Sequence, residues 1–402
     1  MIKVFLHEFK RLCLNRTVQV LSALSVVFAV LLVYVVISNT DYGVYGSRAY
    51  RSGLDAIAHA KTVYKPSYGF VTPEKLAASL KVYQDTAVDY PEGQIPDAVR
   101  EKKTAPLSPV LRLLLYTYDT FDVSVETAAD FYKQRETIIE KSVDEQYPDS
   151  PAVQDNVKSI NQRVRTPFYY AYGYGDSDGP EFLVFLLFVL VFFCAVIAAP
   201  VFSEDYSSRA DDIQRCCRYG RQQLGSARIL AVYTLVLLLV MVCTGIYLVS
   251  LNTLFGWEGL KASLQTRYFT TAITPMTIGG VMGATVLSGI LTLLATASCA
   301  IFVSSRCRSP VAALAGSVMI ALLPAFLSFL HIWEGWLASL LPSGGIISGN
   351  GFYQTLSQNS LEFLNGGAFT LWLPYAYVLF AAVEIPLFSV LAVWSYKKQE
   401  VY

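Results

Sequence analysis

The stretch FSEDYSSRADDIQRCCRYGRQQLGSAR, Phe202 to Arg228, decides how this chain is read. It is a charged island between two uncharged apolar runs, Phe182–Phe202 and Ile229–Trp257. Each run is as long as the roughly 20 residues a helix needs to cross a bilayer, so the island reads as a short loop joining two spans. Within it Arg209, Arg215, Arg218, Arg221 and Arg228 outnumber Glu204, Asp205, Asp211 and Asp212. Short loops rich in Lys and Arg stay on the cytoplasmic face, which is where the island is expected.

Composition agrees with a membrane class. Apolar residues make up 54% of the 402 positions and charged ones only 15%, a balance foreign to soluble globules. The formal net charge is zero, which points to no nucleic-acid partner. Of the seven cysteines, none falls in the polar stretch between the first two spans, so no extracellular disulfide framework is indicated. The adjacent Cys216 and Cys217 lack the spacing and further ligands of a zinc site and read as structural.

Working outward, Met1–Leu14 carries apolar residues at helical spacing with Lys3, Lys10 and Arg11 between them, the pattern of an amphipathic helix lying on the inner membrane surface. The first span is Thr17–Ser38; it is too long for a cleaved signal and lacks a cleavage site close behind it. Residues 39–179 form a polar insert large enough to fold by itself. Helices are expected there from Thr72-Pro73-Glu74 onward, through Val125–Gln146, and after Ser150-Pro151. Leu107–Tyr118 is apolar but short, hence either the core of the insert or a membrane-facing patch. The run Phe168-Tyr169-Tyr170-Ala171-Tyr172-Gly173-Tyr174 reads as an interfacial aromatic belt.

Beyond the island four more spans are expected: within Ile229–Phe255, about Met276–Val303, about Val311–Leu330 with a kink at Pro324, and about Leu371–Tyr396. Gly279, Gly280, Gly283, Ala284 and Gly289 mark the fourth as a close-packing helix. Arg306 and Arg308 lie in a second short loop, and Lys397 and Lys398 follow the last span, so every short basic cluster falls on one face. Between spans five and six, Ile332-Trp333, Trp336-Leu337 and Leu340-Leu341 lead into Pro342-Ser343-Gly344-Gly345. That pattern predicts a helix that dips into the outer leaflet and breaks. The expected fold is therefore an all-α polytopic membrane protein: residues 1–38 an interfacial helix and first span, 39–179 a helical extracytoplasmic domain, and 180–402 the remaining five spans with the loop 203–228.

Soluble-enzyme motifs are missing. There is no G-x-x-x-x-G-K-[ST] phosphate loop, no H-E-x-x-H and no G-x-S-x-G, and His7, His59 and His331 lie far apart. No catalytic residue, metal site or cofactor is expected in this chain.

In its organisation the chain resembles the permease subunit of an ABC-2 type ABC transporter. That family has an interfacial N-terminal helix, six spans and a re-entrant broken helix between the last two. Its first intracellular loop runs from an acidic residue through a helix to a Gly-Arg pair and a closing base. Here Asp205 (or Glu204) stands at the acidic position, Gly220-Arg221 is the pair and Arg228 the base. The chain departs from the pattern at Arg209-Ala210, where Gly-Thr is usual. The resemblance implies separate cytoplasmic ATPase chains that carry ATP and Mg, a second permease chain (a copy or a relative), and export. Six spans with every short basic cluster on one face place both termini inside, and the lack of cysteine in the outer domain fits a bacterial cell membrane. Glu204, Asp205, Arg209, Arg215, Arg218, Gly220, Arg221 and Arg228 would then form the ATPase-coupling handle. An acid near the start of the loop helix and arginines toward its end also suit the helix dipole. For any one arginine, pairing with the ATPase stands beside holding topology and binding anionic lipid. Glu384, deep in the last span, is expected to line a pathway or gate, to pair with Ser, Thr or Tyr hydroxyls, or to relay a proton. Two other classes stay open: a sensor or scaffold using the outer domain, and an ion-coupled secondary transporter, although no repeated halves with interrupted spans are found.

Overall fold

The computed structural model describes residues 2–43, 50–90, 95–208, 222–330, 335–347, 351–366 and 369–398. Six of the described helices are long and apolar enough to cross a membrane. They are numbered here as spans 1 to 6: Arg16–Ser38, Gly179–Ala198, Gln222–Phe255, Ile278–Arg306, Pro310–Phe329 and Leu373–Lys398. Elsewhere the described residues form shorter helices, connecting turns and three antiparallel pairs of two- or three-residue strands. The chain is an all-α polytopic membrane protein.

Local chemistry sets the boundaries. The N-terminal helix, Ile2–Leu14, ends where Asn15 turns the chain, its side chain accepting from the Thr17 amide at 2.9 Å to cap span 1. Span 1 buries Val18, Ser25, Ala29, Leu32 and Val36, spaced as one helical face, and leaves Val20, Leu24, Val27, Leu31 and Tyr34 exposed, as a lipid-facing helix should. Span 2 breaks at Pro200 and resumes as Pro200–Ser208. The new first turn leaves amides without carbonyls, and Ser304 of span 4 supplies the acceptor: its hydroxyl receives the Phe202 and Ser203 amides at 3.0 and 3.1 Å. Span 5 continues through the buried Pro324.

Span 4 is the axle of the bundle. Its small residues admit neighbours closely; a Cβ at Gly289 would sit 2.8 Å from Leu187 of span 2. The segment between spans 5 and 6 holds short helices at Gly335–Ser339, Gly344–Ile347 and Phe352–Ser357. Thr296 donates to the Pro342 carbonyl at 3.0 Å, and Ser343 donates to the Ala321 carbonyl at 2.7 Å. Gly345 approaches so near that a Cβ would meet the Thr292 hydroxyl at 2.9 Å. Thr292 lies fourteen residues into span 4, about 21 Å along its axis at 1.5 Å per residue. The break therefore reaches the middle of spans 4 and 5, as a re-entrant element does. The freed backbone groups find hydroxyl and carbonyl partners in protein, the condition under which broken helices persist at membrane depth.

Between residues 53 and 161 the described helices pack together over the span ends opposite the Asp205–Arg228 pair. Among them are Gly53–Val63, Pro73–Asp89, Ser108–Tyr118, Phe131–Gln146 and Pro151–Asn161. Thr72 caps the second of these, accepting from the Lys75 amide at 3.2 Å. The expected single helix over Val125–Gln146 is split at Asp130 into Val125–Ala129 and Phe131–Gln146. Ser108–Tyr118 is the core of this layer: Val110, Leu111, Leu113 and Leu114 are all buried.

The aromatic belt is corrected by the structure. Phe168, Tyr170, Tyr172 and Tyr174 are buried in protein. Tyr170 and Tyr172 pack on the rings of Tyr68 and Tyr64, and Tyr172 also meets Phe255 at the end of span 3. Burial raises the pKa of Tyr170 and Tyr174 far above the ordinary phenol value. The sequence signature of a belt and of an aromatic core is the same; backbone proximity decides between them. Gly173 meets Gly259 of the span 3–4 connection so closely that a Cβ on Gly173 would lie 2.6 Å from the Gly259 Cα. A Gly259→Ala substitution is expected to lower stability by about 1–3 kcal/mol through overpacking, read as a lower unfolding midpoint of the purified chain. Gly245→Ala, at a position open for a Cβ, should leave that midpoint unchanged.

Candidate functional site

The island's two ends come together. Asp205, on the extension of span 2, and Arg228, in the first turns of span 3, form a salt bridge with side chains only 6% and 2% exposed. The N-terminal helix completes the arrangement. Glu8 accepts from the Arg228 Nε at 3.2 Å and from Arg11 at 3.2 Å, and Arg11 reaches Asp205 at 3.7 Å. Among the described residues each carboxylate thus faces both arginines, giving a ring of two positive and two negative groups. Phe202 stacks against Tyr396 of span 6 with centroids 4.7 Å apart, and the Arg228 guanidinium lies over the Phe202 ring at 5.9 Å.

Isolated charges at such depth are strongly disfavoured, whereas a paired, hydrogen-bonded group is tolerated. The ring fixes the separation of spans 2 and 3 at the root of the loop and seats the N-terminal helix against both. Asp205 is therefore the acidic half of a buried clamp. Glu204, one position earlier, faces out and is exposed. Arg209, Arg215, Arg218, Gly220 and Arg221 lie outside the described residues, as do Cys216 and Cys217. Glu8 escaped the sequence reading; the available signal was its standing as the sole acid in a basic amphipathic helix.

At mid-membrane, Glu384 of span 6 is half-buried and within electrostatic reach of Cys299 on span 4. Among the described residues it makes no hydrogen bond or ion pair. Ser389, one turn on, bonds Tyr233 of span 3 at 2.6 Å instead.

A second polar cluster sits at the opposite end of the bundle. Glu181, in the first turn of span 2, accepts from Tyr268 at 3.3 Å and from Tyr353 at 3.2 Å, and the two phenols also touch each other. These three residues belong to span 2, the span 3–4 connection and the segment after the re-entrant break. Nearby, Arg112 of the helical layer pairs with Asp176 at 2.7 Å. Burial works to lower the Arg112 pKa, but the Asp176 carboxylate outweighs it and raises that pKa. Arg135 donates to the Thr270 and Ala272 carbonyls at 2.6 and 2.9 Å and to Asn161 at 2.8 Å, and burial pulls its pKa down to about 10. It remains a cation at neutral pH. Tyr147 also receives the Phe363 amide at 3.2 Å from the connection to span 6. The helical layer is thus fastened to the ends of spans 2, 3 and 4 and to the last connection.

The arrangement offers no nucleophile–base pair, and no group of three His, Cys, Asp or Glu capable of holding a metal occurs among the described residues. What it can do is mechanical: bind several helices at one end through a charged clamp and at the other through a polar lattice. A family model described as an ABC-2 family transporter protein matches residues 19–394. No curated protein and no solved structure matches the chain. Replacing Arg228 by Ala would leave Glu8 and Asp205 facing only the partly exposed Arg11, and a loss of about 3–5 kcal/mol is expected for breaking a buried pair. Equilibrium unfolding of the purified chain measures it, and the triple change Glu8→Gln, Asp205→Asn, Arg228→Met should recover a large part.

Proposed function

The chain belongs to the ABC-2 family of transporter proteins, and on that premise we propose how this multi-pass permease is driven. Separate ATPase chains, carrying ATP and Mg, engage the loop 203–228. The face bearing that loop and both termini is cytoplasmic, in keeping with the Lys/Arg bias, and the membrane is the cell membrane of a bacterium. Two permease chains, identical or related, assemble around a shared path, and closure of the ATPases drives export or extraction of a substrate from the bilayer.

The observation that carries this reading is the buried Asp205–Arg228 bridge. A handle transmits force only if its two roots cannot splay. This bridge ties the roots to each other, Ser304 ties the first to span 4, and Phe202 packs on Tyr396 of span 6. A push on the loop then turns spans 2, 3, 4 and 6 as a body. Of the loop residues, Asp205 and Arg228 hold the handle's roots together, while Glu204, Arg209, Arg215, Arg218, Gly220 and Arg221 supply the coupling contacts to the motor. Glu384, lacking an intrachain partner among the described residues, lines the path or gate at the interface of the two permease chains. An acid placed at such depth is a functional residue by default.

These roles separate experimentally. Combined Arg215→Ala, Arg218→Ala and Arg221→Ala should abolish stimulation of ATP hydrolysis in the assembled transporter and leave the unfolding midpoint of the permease unchanged. Full coupling in that variant would remove the loop from the role. Glu384→Gln should preserve assembly and change transport or substrate-stimulated ATP turnover; identical turnover would make Glu384 a packing residue.

A further inference from the structure

The N-terminal helix divides its surface three ways. Glu8 turns inward to the charged ring, with Val4 and Leu12 partly covered on either side. Ile2 and Leu6 are exposed, with Phe9 and Cys13 on the same flank at helical spacing. The remaining edge carries Lys3, His7, Lys10 and Arg11, all exposed, and Arg16 follows at the start of span 1. No acidic side chain lies on either exposed edge. An apolar strip beside a basic strip matches the headgroup boundary of a bilayer, where one sinks among acyl chains and the other meets phosphates. Arg11 stands at the border between the basic edge and the ring. Its side chain is 44% exposed while it bridges Glu8 and Asp205, and its 3.7 Å contact to Asp205 is the longest in the ring.

We propose that an anionic phospholipid headgroup binds the Lys3–Lys10–Arg11 edge and competes with Asp205 for Arg11, so that membrane charge adjusts the root of the 203–228 loop. The phosphate draws the Arg11 guanidinium outward, and Glu8 and Asp205 are left to share Arg228. Among its four described members the ring goes from two cations against two anions to one against two. Like charges at close range in a buried site repel, and the extension Pro200–Ser208 loosens while the N-terminal helix is held to the surface. The binding stands on the helix alone; its consequence for transport rests on the coupling role proposed above for the loop.

The test uses the full-length chain without any ATPase, in nanodiscs of phosphatidylcholine alone or with about 30% phosphatidylglycerol. Mass spectrometry of co-purifying lipid should show phosphatidylglycerol enriched over its input, and hydrogen exchange over residues 200–208 should be faster, by about threefold or more, in the anionic discs. Lys3→Gln with Lys10→Gln, which leaves the ring untouched, should at least halve the enrichment. Arg11→Gln should lose the exchange difference, Arg11→Lys should keep much of it, and Lys141→Gln, an exposed charge on the helical layer, should alter neither. Equal retention of both lipids by the wild-type chain would overturn the proposal. So would an exchange difference that persists in Arg11→Gln, or one reproduced by inorganic phosphate in phosphatidylcholine discs. Failure of these readouts leaves the coupling role standing, and loss of ATPase coupling in the loop variants leaves the lipid site standing.

Discussion

Arg228 is a guanidinium with almost no contact with water, at the point where a charged loop meets a membrane span. A cation there is tolerable only with anions at hand, and the chain brings two from distant places: Asp205 from the other root of the loop, and Glu8 from the N-terminal helix. That requirement determines much else. It fixes how far apart spans 2 and 3 stand and where the N-terminal helix lies. Asp205 reaches Arg228 from the segment after Pro200, whose first turn is capped by Ser304. Replacing such a ring by apolar side chains need not reduce stability. A role in positioning the helices accounts for it better than a role in stability.

The two ends of the bundle are held by different physics. At the loop end, a few charges in a dry setting give a sharp, directional constraint. At the other end, many neutral and charge-assisted hydrogen bonds fasten the helical layer: Arg135 to backbone carbonyls, Arg112 to Asp176, Glu181 to two tyrosines. A push delivered through the ring would be felt there by way of span 2, which carries Asp205 on its extension at one end and Glu181 at the other.

The spans were readable because twenty apolar residues in a row have few alternatives, and the re-entrant break because Pro342, Gly344 and Gly345 interrupt a helical apolar repeat. Thr72 was recognisable as a cap from its own side chain. What lay beyond the sequence were pairings between distant positions. Glu8 and Arg228 are separated by 220 residues with no periodicity connecting them. The tyrosine run at 168–174 was misassigned because its composition suits lipid headgroups as well as a core; the Gly173–Gly259 contact that buries it has no side chain to announce it. Glu384 was visible as an anomaly, and the structure sharpened it by showing that its own chain offers no partner among the described residues.

The central claim is that this permease is turned from outside by a separate motor gripping the loop. The most direct test is to purify the tagged chain in mild detergent from its native membranes and identify what accompanies it by mass spectrometry. The account predicts a stoichiometric companion of ATPase-domain size that bears a phosphate loop, and predicts that it is lost when Arg215, Arg218 and Arg221 are replaced. A stable oligomer of this chain alone, recovered with its ring intact and no ATPase bound, would contradict it.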